Sequence, residues 1–266
     1  MNWHPRFLPI VLCCLLLTCG RAQNTQNQPV QNALQLPAPH PGLALPAKQS
    51  LTYSVDWRVF SAGTVTFHQE ADGDVQRINV VGDSIGAVNL IYRVSDRFQS
   101  SFNRRSGCSA EFSKQLIEGR RQVNSDLKFD YAQSKAILDD RNLVSGMSKH
   151  QETVIPSCVS DLLSAIFYTA SLPLQAGQSF QIPLFDAGKT IPVTMKVEGN
   201  ESIKTPTGTY QTVRVQPTAD AGVVKNRGNI WIWYTDDERH MPVQMRARLF
   251  WGTITFSLTN IDQSSY

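Results

Sequence analysis

The sequence lacks several short motifs that mark common catalytic sites. Its 266 residues contain no phosphate-binding loop, no GxGxxG turn and no HExxH pair. This removes the usual sequence evidence for a nucleotide-binding enzyme or a zinc protease. His68, His150 and His240 lie far apart without ligand-like spacing. The sequence therefore predicts no catalytic residue, no metal site and no cofactor.

The sequence also lacks an apolar run long enough to cross a membrane. The run from Phe7 to Leu17 falls short of the roughly 20 residues that a spanning helix needs. It follows His4 and Arg6 and precedes small or polar residues, which is typical of an export signal. We predict a signal peptide over residues 1–22, cleavage before Gln23, a periplasmic location and no transmembrane span after processing.

A second route of processing stays open at the N-terminus. Leu16-Leu17-Thr18-Cys19 resembles a lipobox, although threonine just before the cysteine is unusual for one. Cys19 would then carry lipid and anchor the protein to a membrane, weakly if by a single acyl chain. Otherwise Cys13, Cys14 and Cys19 are apolar filler of a discarded signal.

The sequence lacks a large excess of positive or negative charge. The chain has 25 Lys and Arg against 22 Asp and Glu, and residues 1–22 carry only Arg6 and Arg21, so 23 basic and 22 acidic residues remain. A protein that binds nucleic acid usually shows a clear basic excess. We therefore expect no nucleic-acid partner.

Cysteine is rare beyond the signal. Of five cysteines, only Cys108 and Cys158 lie outside it, and an exported protein meets an oxidising compartment. We predict a disulfide between them, with two free thiols as the alternative. A bridge closing a loop of about 50 residues would stabilise the fold by roughly 4 kcal/mol in the chain-entropy model.

The remaining chain divides by composition. Residues 23–49 are rich in Gln, Asn, Pro and Ala, with Lys48 as their only charge, and predict a flexible leader. Residues 50–262 predict a single β-rich domain in two halves, 50–150 and 175–262, joined by a helix.

Alternation of apolar and polar residues predicts most of the domain to be strands. Leu51–Phe60 alternates with period two, and Asp72-Gly73 is a strong hairpin signal. A further strand is predicted from Ile91 to Phe102. Leu162, Leu163, Ile166 and Phe167 give one short helix near residues 159–170, capped by Ser157 or Ser160. The predicted fold is mainly β, a curled antiparallel sheet that is partial-barrel-like.

Several segments together resemble the bacterial family called domain of unknown function 3108. They are Leu51-Thr-Tyr, Asp96-Arg-Phe, Glu118-Gly-Arg, Asp161-Leu-Leu-Ser-Ala-Ile-Phe-Tyr, Thr205-Pro-Thr-Gly-Thr-Tyr and Trp231 to Val243. The resemblance implies an exported, β-rich envelope domain without an assigned reaction, cofactor or catalytic residue. The arginine that typically follows the helix in this family is missing after Tyr168.

Tryptophans are the candidate ligand-binding residues. Trp231 and Trp233 share a strand face by alternation, and Trp57 lies in the first predicted strand. They are either plain core or the lining of a cleft for an apolar or sugar-like ligand.

Carboxylates offer a competing interpretation. Asp236, Asp237 and Glu238 with His240 could serve acid/base chemistry or a cation, yet the same residues suit a tight exposed turn. Asp161 and Ser164 fit capping and packing better than a nucleophile system.

From the sequence we expect a non-catalytic cell-envelope protein that binds an envelope component, either a lipid, a glycan or a protein partner. The alternatives are an envelope hydrolase that uses carboxylates such as Asp161, Asp236 or Asp237, and a purely structural accessory protein.

Overall fold

The computed structural model describes residues 36–42, 45–226, 228–250 and 252–263, which contain fourteen strands and three short helices. The strands are β1 (Lys48–Trp57), β2 (Phe60–Asp72), β3 (Val75–Ser84), β4 (Ser95–Asn103), β5 (Ser109–Glu118), β6 (Arg121–Asp130), β7 (Lys135–Asn142), β8 (Ser148–Val154), β9 (Ser179–Asp186), β10 (Lys189–Thr205), β11 (Gly208–Thr218), β12 (Asn229–Thr235), β13 (Pro242–Leu249) and β14 (Gly252–Asp262). The helices are α1 (Gly86–Ile91), α2 (Leu162–Thr169) and α3 (Gly222–Asn226).

All fourteen strands form one antiparallel sheet made of two meanders. The strand order is β8-β7-β6-β5-β4-β3-β2-β1-β14-β13-β12-β11-β10-β9, so each strand pairs with its chain neighbour except where β1 pairs with β14. The first and last strands thereby join the two halves, and β8 and β9 become the edges. Apart from α2, every link between consecutive strands is a short hairpin or a single helical turn.

One face of the sheet carries the core. Leu51 and Tyr53 of β1 pair across the sheet with Phe67 and Val65 of β2, which places these four side chains on one face. Leu51 and Tyr53 are fully buried, whereas the alternating residues Ser50 and Thr52 point to the opposite face. We call the face with Leu51 and Tyr53 the inner face.

The sheet curls so that its edges approach each other without pairing as strands. Thr153 of β8 donates a hydrogen bond from Oγ1 to the Gly188 carbonyl in the β9–β10 turn, at 3.3 Å. The segment Ile155–Asp161 leaves the edge strand β8, where Ile155 N donates to Ser134 O in the β6–β7 turn, and reaches the edge strand β9, where Ser160 N donates to Pro183 O. The chain that leaves β8 thus fills the gap in the curl.

Helix α2 fills the inner face at one end of the curl, which we call the plugged end; the opposite end is the open end. Its Phe167 ring packs on Phe67 of the inner face, with ring centroids 5.5 Å apart, and Tyr234 of β12 donates from its hydroxyl to Ile166 O. The Tyr168 hydroxyl lies 3.4 Å from Arg105 O in the β4–β5 turn. Gly107 in that turn has φ +71°, and a Cβ there would lie 2.7 Å from the Tyr168 ring, so glycine permits this close approach.

The chain before β1 packs on the same end of the domain. The Tyr168 hydroxyl donates to Pro37 O, His40 N donates to Ser171 O, and Leu45 is buried. The sequence predicts a flexible leader up to Gln49, but the described part of that segment contacts the domain, and β1 already begins at Lys48. No pattern in this polar segment of the sequence predicted the backbone contacts of Pro37 and His40.

The structure confirms a mainly β, curled antiparallel sheet that is not closed. It also places a helix within the predicted 159–170 interval, although its cap is Asp161 rather than a serine. The two further helices, α1 and α3, were not predicted. Within the described residues, no helix has both the length and the apolar character to cross a bilayer.

Candidate functional site

The inner face is filled at one end of the curl and open at the other. Along β1, Leu51 and Tyr53 are fully buried, Val55 on the same face is half-buried, and Trp57 is 38% exposed. On the paired strand β14, Leu258 is fully buried and Phe256 is half-buried. Solvent therefore reaches the inner face beyond the level of α2.

The open half of the inner face is lined mainly by apolar side chains. The residues that share this face and are half-buried are Val55, Val65, Phe98, Phe112, Met245 and Phe256, and we call them the cleft residues. Phe98 and Phe112 of neighbouring strands lie with ring centroids 6.3 Å apart. Cross-strand pairing places Val55 opposite Phe256, and Phe256 opposite Met245, so the lining is continuous from β1 to β13.

Two apolar side chains of helix α2 are not fully buried. Leu162 is 38% exposed and Ile166, one turn later, is half-buried, while the other side chains of the helix are buried. Helix α2 packs against the inner face through Phe167, and Ile166 packs against the same hydrophobic core. Leu162 and Ile166 are therefore the apolar side chains of α2 that keep some solvent exposure.

The wall formed by β4 and β5 adds polar groups to the same face. Lys114 pairs with Phe98 on one side and with Ser125 on the other, and its side chain is half-buried. Within the described residues it has no ion-pair partner. The cleft therefore combines an apolar lining with an inward-facing cation.

Asp96 stands on the inner face near the open end. Its Oδ1 accepts a hydrogen bond from Ile117 N at 3.1 Å, and it pairs with Gly82 of β3. Burial, and next the negative charge of Glu118, raise the pKa of Asp96 to about 6. The charge at this end of the cleft thus changes in the mildly acidic range.

The structure does not bring the three candidate tryptophans together. Trp57 pairs with Ile254 on the inner face, at the open end. Trp231 and Trp233 pair with Arg246 and Gln244, which lie on the opposite, outer face. The three rings therefore do not line one site, and only Trp57 lies at the cleft.

Trp233 is held in a polar cluster on the outer face. Its indole Nε1 donates to Glu201 Oε1 at 2.8 Å, and the Arg246 guanidinium carbon lies 5.3 Å from its ring centroid. Arg214 forms ion pairs with Glu198 and with Glu201. With its exposure reduced to 3% by these neighbours, the Trp233 ring has little surface to offer a ligand.

Cys108 and Cys158 are joined in a disulfide, with Cα atoms 5.0 Å apart and a sequence separation of 50. The bridge ties the β4–β5 turn to the segment just before α2. Ser109 N donates to Val159 O next to it. The bond therefore supports the plugged end and lies away from the cleft residues.

Asp161 caps α2 from a buried position. Its Oδ1 accepts from Leu163 N and Ser164 N, and its Oδ2 accepts from Ser100 Oγ and Ser109 Oγ, all between 2.7 and 3.0 Å. Burial raises the pKa of this carboxyl, and the four donors oppose that effect. The side chain is engaged in holding the helix start against β4 and β5.

The acidic turn after β12 is bonded within itself. Asp237 accepts from Thr235 Oγ1, from Arg239 N and from the Arg239 guanidinium. Asp236 accepts from Asn200 Nδ2 at 2.6 Å. His240 lies 3.0 Å from Ala170 O through Nδ1, and burial lowers its pKa. This turn therefore anchors the end of α2.

The other predicted features lie apart from the cleft or outside the structure. His68 contacts Ser50, and His150 contacts Asp139, both at exposed positions. In the described ranges, no three His, Cys, Asp or Glu side chains are grouped so as to hold a metal ion. Cys19 and residues 1–22 lie outside the described residues, so the signal peptide and the lipobox stay predictions.

Sequence reasoning did not single out the cleft residues. Each of them lies in a segment that alternation predicts to be a strand. Alternation assigns a residue to a face, but it carries no information about whether that face is filled. The one available signal was the short length of α2 compared with the long inner face.

Comparison with known proteins agrees with this architecture. The sequence model of the family described as "Protein of unknown function (DUF3108)" matches residues 52–259. A beta-barrel-like protein of domain of unknown function DUF1849 from Brucella abortus matches at a TM-score of 0.54 and 10% identity, over 84% of this chain and 100% of that chain. A Bacteroides fragilis protein with a YmcC-like fold matches at a TM-score of 0.35 and 7% identity, over 86% of this chain and 99% of that chain. No curated protein matches the chain. The first structural likeness supports the fold alone, and the second supports no conclusion.

Proposed function

Since the chain belongs to the DUF3108 family of proteins of unknown function, we propose a role from its own geometry: a non-catalytic, exported envelope protein that binds an apolar or amphiphilic ligand in the inner cleft. The observation that carries the proposal is the half-buried apolar lining of the open half of the curl. Apolar side chains inside a fold are normally packed to high density. A lining that remains open to solvent is typical of a ligand site.

Export is supported by two independent features of the chain. Residues 1–22 read as a signal peptide. The disulfide between Cys108 and Cys158 suits an oxidising compartment such as the periplasm. An envelope protein in that compartment meets lipids as its most abundant apolar molecules.

The chemistry of the lining favours an acyl chain with an anionic end. Phe98, Phe112 and Phe256 offer apolar surface, and Lys114 places a cation beside Phe98 on the same face. A fatty acid presents both an apolar chain and an anionic group at once. We therefore propose a fatty-acid-like lipid as the ligand class.

The proposal is tested by titrating the processed protein with a dansyl-labelled fatty acid and then displacing the probe with an unlabelled one. We expect saturable fluorescence enhancement. Ala247→Trp places a large ring on the inner face between Ile230 and Ile254 and should weaken binding by about tenfold or more, roughly 1.4 kcal/mol.

The matched control is Arg248→Trp, the next residue of the same strand, whose side chain lies exposed on the outer face. It should leave probe affinity unchanged. Lys114→Gln should weaken the fatty acid more than the corresponding fatty alcohol. Absence of saturable binding, or equal effects of the two tryptophan variants, would contradict a ligand site in the cleft.

A further inference from the structure

The exposed apolar side chains of the described residues are concentrated at one end of the sheet. Thirteen large apolar side chains are exposed, and eleven of them lie in the connections or adjoining strand ends at the open end of the curl. The most prominent are Val59, Phe60, Leu90, Ile91 and Phe250. Scattered exposed apolar residues are ordinary, but a one-ended distribution marks an interaction surface.

These side chains come from separate turns that contact one another. Ile85 N before α1 donates to Ala62 O of β2. A Cβ at Gly119 in the β5–β6 turn would lie 2.6 Å from the Tyr92 ring, and one at Gly252 would lie 2.8 Å from Trp57 Nε1. The turns β1–β2, β3–β4, β5–β6 and β13–β14 thus form one rim, which we call the apolar rim.

The apolar side chains at the tips of the rim turns are almost completely exposed to solvent. Leu90 and Ile91 are 88% and 87% exposed, Phe250 is fully exposed, and α1 buries none of its residues. Side chains projecting singly from several tips do not form the flat, close-packed patch of a stable protein interface. They suit a surface into which each can insert, namely the boundary between headgroups and acyl chains.

The charge at this end points to the same partner. Among the residues that the structure describes, the connections at the open end carry four exposed basic residues, Arg58, Arg93, Arg120 and Lys225, against one exposed acidic residue, Asp220. The described connections at the plugged end carry two exposed basic residues and four exposed acidic residues. The chain as a whole is close to neutral. The open end is basic because basic residues are concentrated in its connections.

From these observations we infer that the apolar rim docks on a lipid bilayer that carries anionic headgroups, with the rim tips inserted and the arginines among the headgroups. The docked face is the one on which the cleft opens. The inference goes beyond ligand binding in the cleft, and it stands whether or not a lipid enters there.

Flotation with lipid vesicles tests the inference. The chain from Gln23 onward contains the whole compact unit Ala33–Tyr266 and excludes both the apolar run and an acyl chain on Cys19. We expect it to float with vesicles of phosphatidylcholine and one part in about three of phosphatidylglycerol, and far less with phosphatidylcholine alone. Raising the salt to about 0.5 M should release much of it, since the Debye length then shrinks to a few ångströms.

Paired variants distinguish docking through the rim from nonspecific adsorption to vesicles. Leu90→Ser with Ile91→Ser should lower vesicle affinity by about tenfold or more, because each leucine-sized side chain would lose its apolar burial. The control Val154→Ser changes an 80% exposed apolar side chain at the plugged end and should have no effect. Arg93→Gln and Arg120→Gln should each lower affinity by about fivefold, the effect of one basic residue at an anionic surface.

Three outcomes would overturn the inference. One is absence of flotation with anionic vesicles. Another is an equal loss for Val154→Ser and for the Leu90 and Ile91 double variant. The third is a wild-type dimer in sedimentation that this double variant makes monomeric, which would assign the rim to a second copy of the chain. Probe binding is measured without vesicles and flotation without added fatty acid, so the two proposals fail separately.

Discussion

The disulfide between Cys108 and Cys158 gives a quantitative prediction about the plugged end. It closes a loop of 50 residues. In the chain-entropy model such a loop restricts the unfolded chain by about 4 kcal/mol at 25 °C. That is a large share of the roughly 5–15 kcal/mol that separates folded from unfolded states. Reduction should therefore destabilise the protein strongly without unfolding it.

The folded form should survive reduction because other contacts hold the same two segments. Ser109 N donates to Val159 O, and the Tyr131 hydroxyl donates to Ser109 O at 2.7 Å and lies 3.2 Å from Val159 O. The cost should then appear as a lower melting temperature. At 2–4 °C per kcal/mol for a chain of this size, the shift is about 10 °C.

The assay is thermal unfolding of the wild type with and without a reductant, followed by far-ultraviolet circular dichroism. The control is the double variant Cys108→Ser and Cys158→Ser, which should melt near the reduced wild type under both conditions. An unchanged wild-type melting temperature after complete reduction, verified by thiol titration, would refute the argument. So would a double variant that still responds to the reductant.

Three further predictions concern carboxylates. Asp161→Ala should destabilise the fold by about 3 kcal/mol or more in urea unfolding, because four buried donors lose their acceptor, and Asp161→Asn should cost less. Asp96 has its folded pKa raised to about 6, so the folded state binds its proton more tightly and this group favours folding as the pH falls from about 7 toward 4. Asp96→Asn should remove that slope and, after solvent screening, stabilise the protein at pH 8 by about 1 kcal/mol, as read from urea midpoints at both pH values. Asp236→Ala with Asp237→Ala should change stability by only about 1 kcal/mol or less, as expected of an exposed turn, and a larger loss would contradict that interpretation.

Local patterns in the sequence were sufficient for most of the sheet but not for two of its parts. Strand β1 alternates as predicted, because its inner side chains are apolar and its outer ones polar. Strand β8 was not predicted, because its inner residues Lys149, Gln151 and Thr153 are polar. The strand therefore shows no alternation of apolar and polar residues. The predicted strand from Ile91 actually begins at Ser95, because the apolar residues before it form the exposed helix α1.

The pairing of β1 with β14 could not be read from either strand alone. It joins residues about 200 positions apart, Ser50 with Asp262 and Trp57 with Ile254. Many other strands in this chain have the same apolar period and would fit the same edge. The register is chosen only when the whole inner face is assembled, since a slip of one residue would turn Leu51 and Tyr53 outward. The faces of Trp57 and of Trp231 were for this reason undecidable from sequence.

The cleft arises from where α2 is anchored. Asp161 binds Ser100 and Ser109, His240 contacts Ala170 O, and Tyr168 reaches Arg105 O, all at the plugged end. An eight-residue helix is only about 12 Å long, less than half the length of a ten-residue strand. Held at one end by these bonds, it covers the inner face only in part. The strands continue with apolar inner residues past the point where the helix can pack on them. This difference in length between the helix and the strands, rather than any single residue, leaves apolar surface exposed near the basic, apolar rim. A ligand in the cleft and a membrane at the rim would therefore meet at the same end of the molecule.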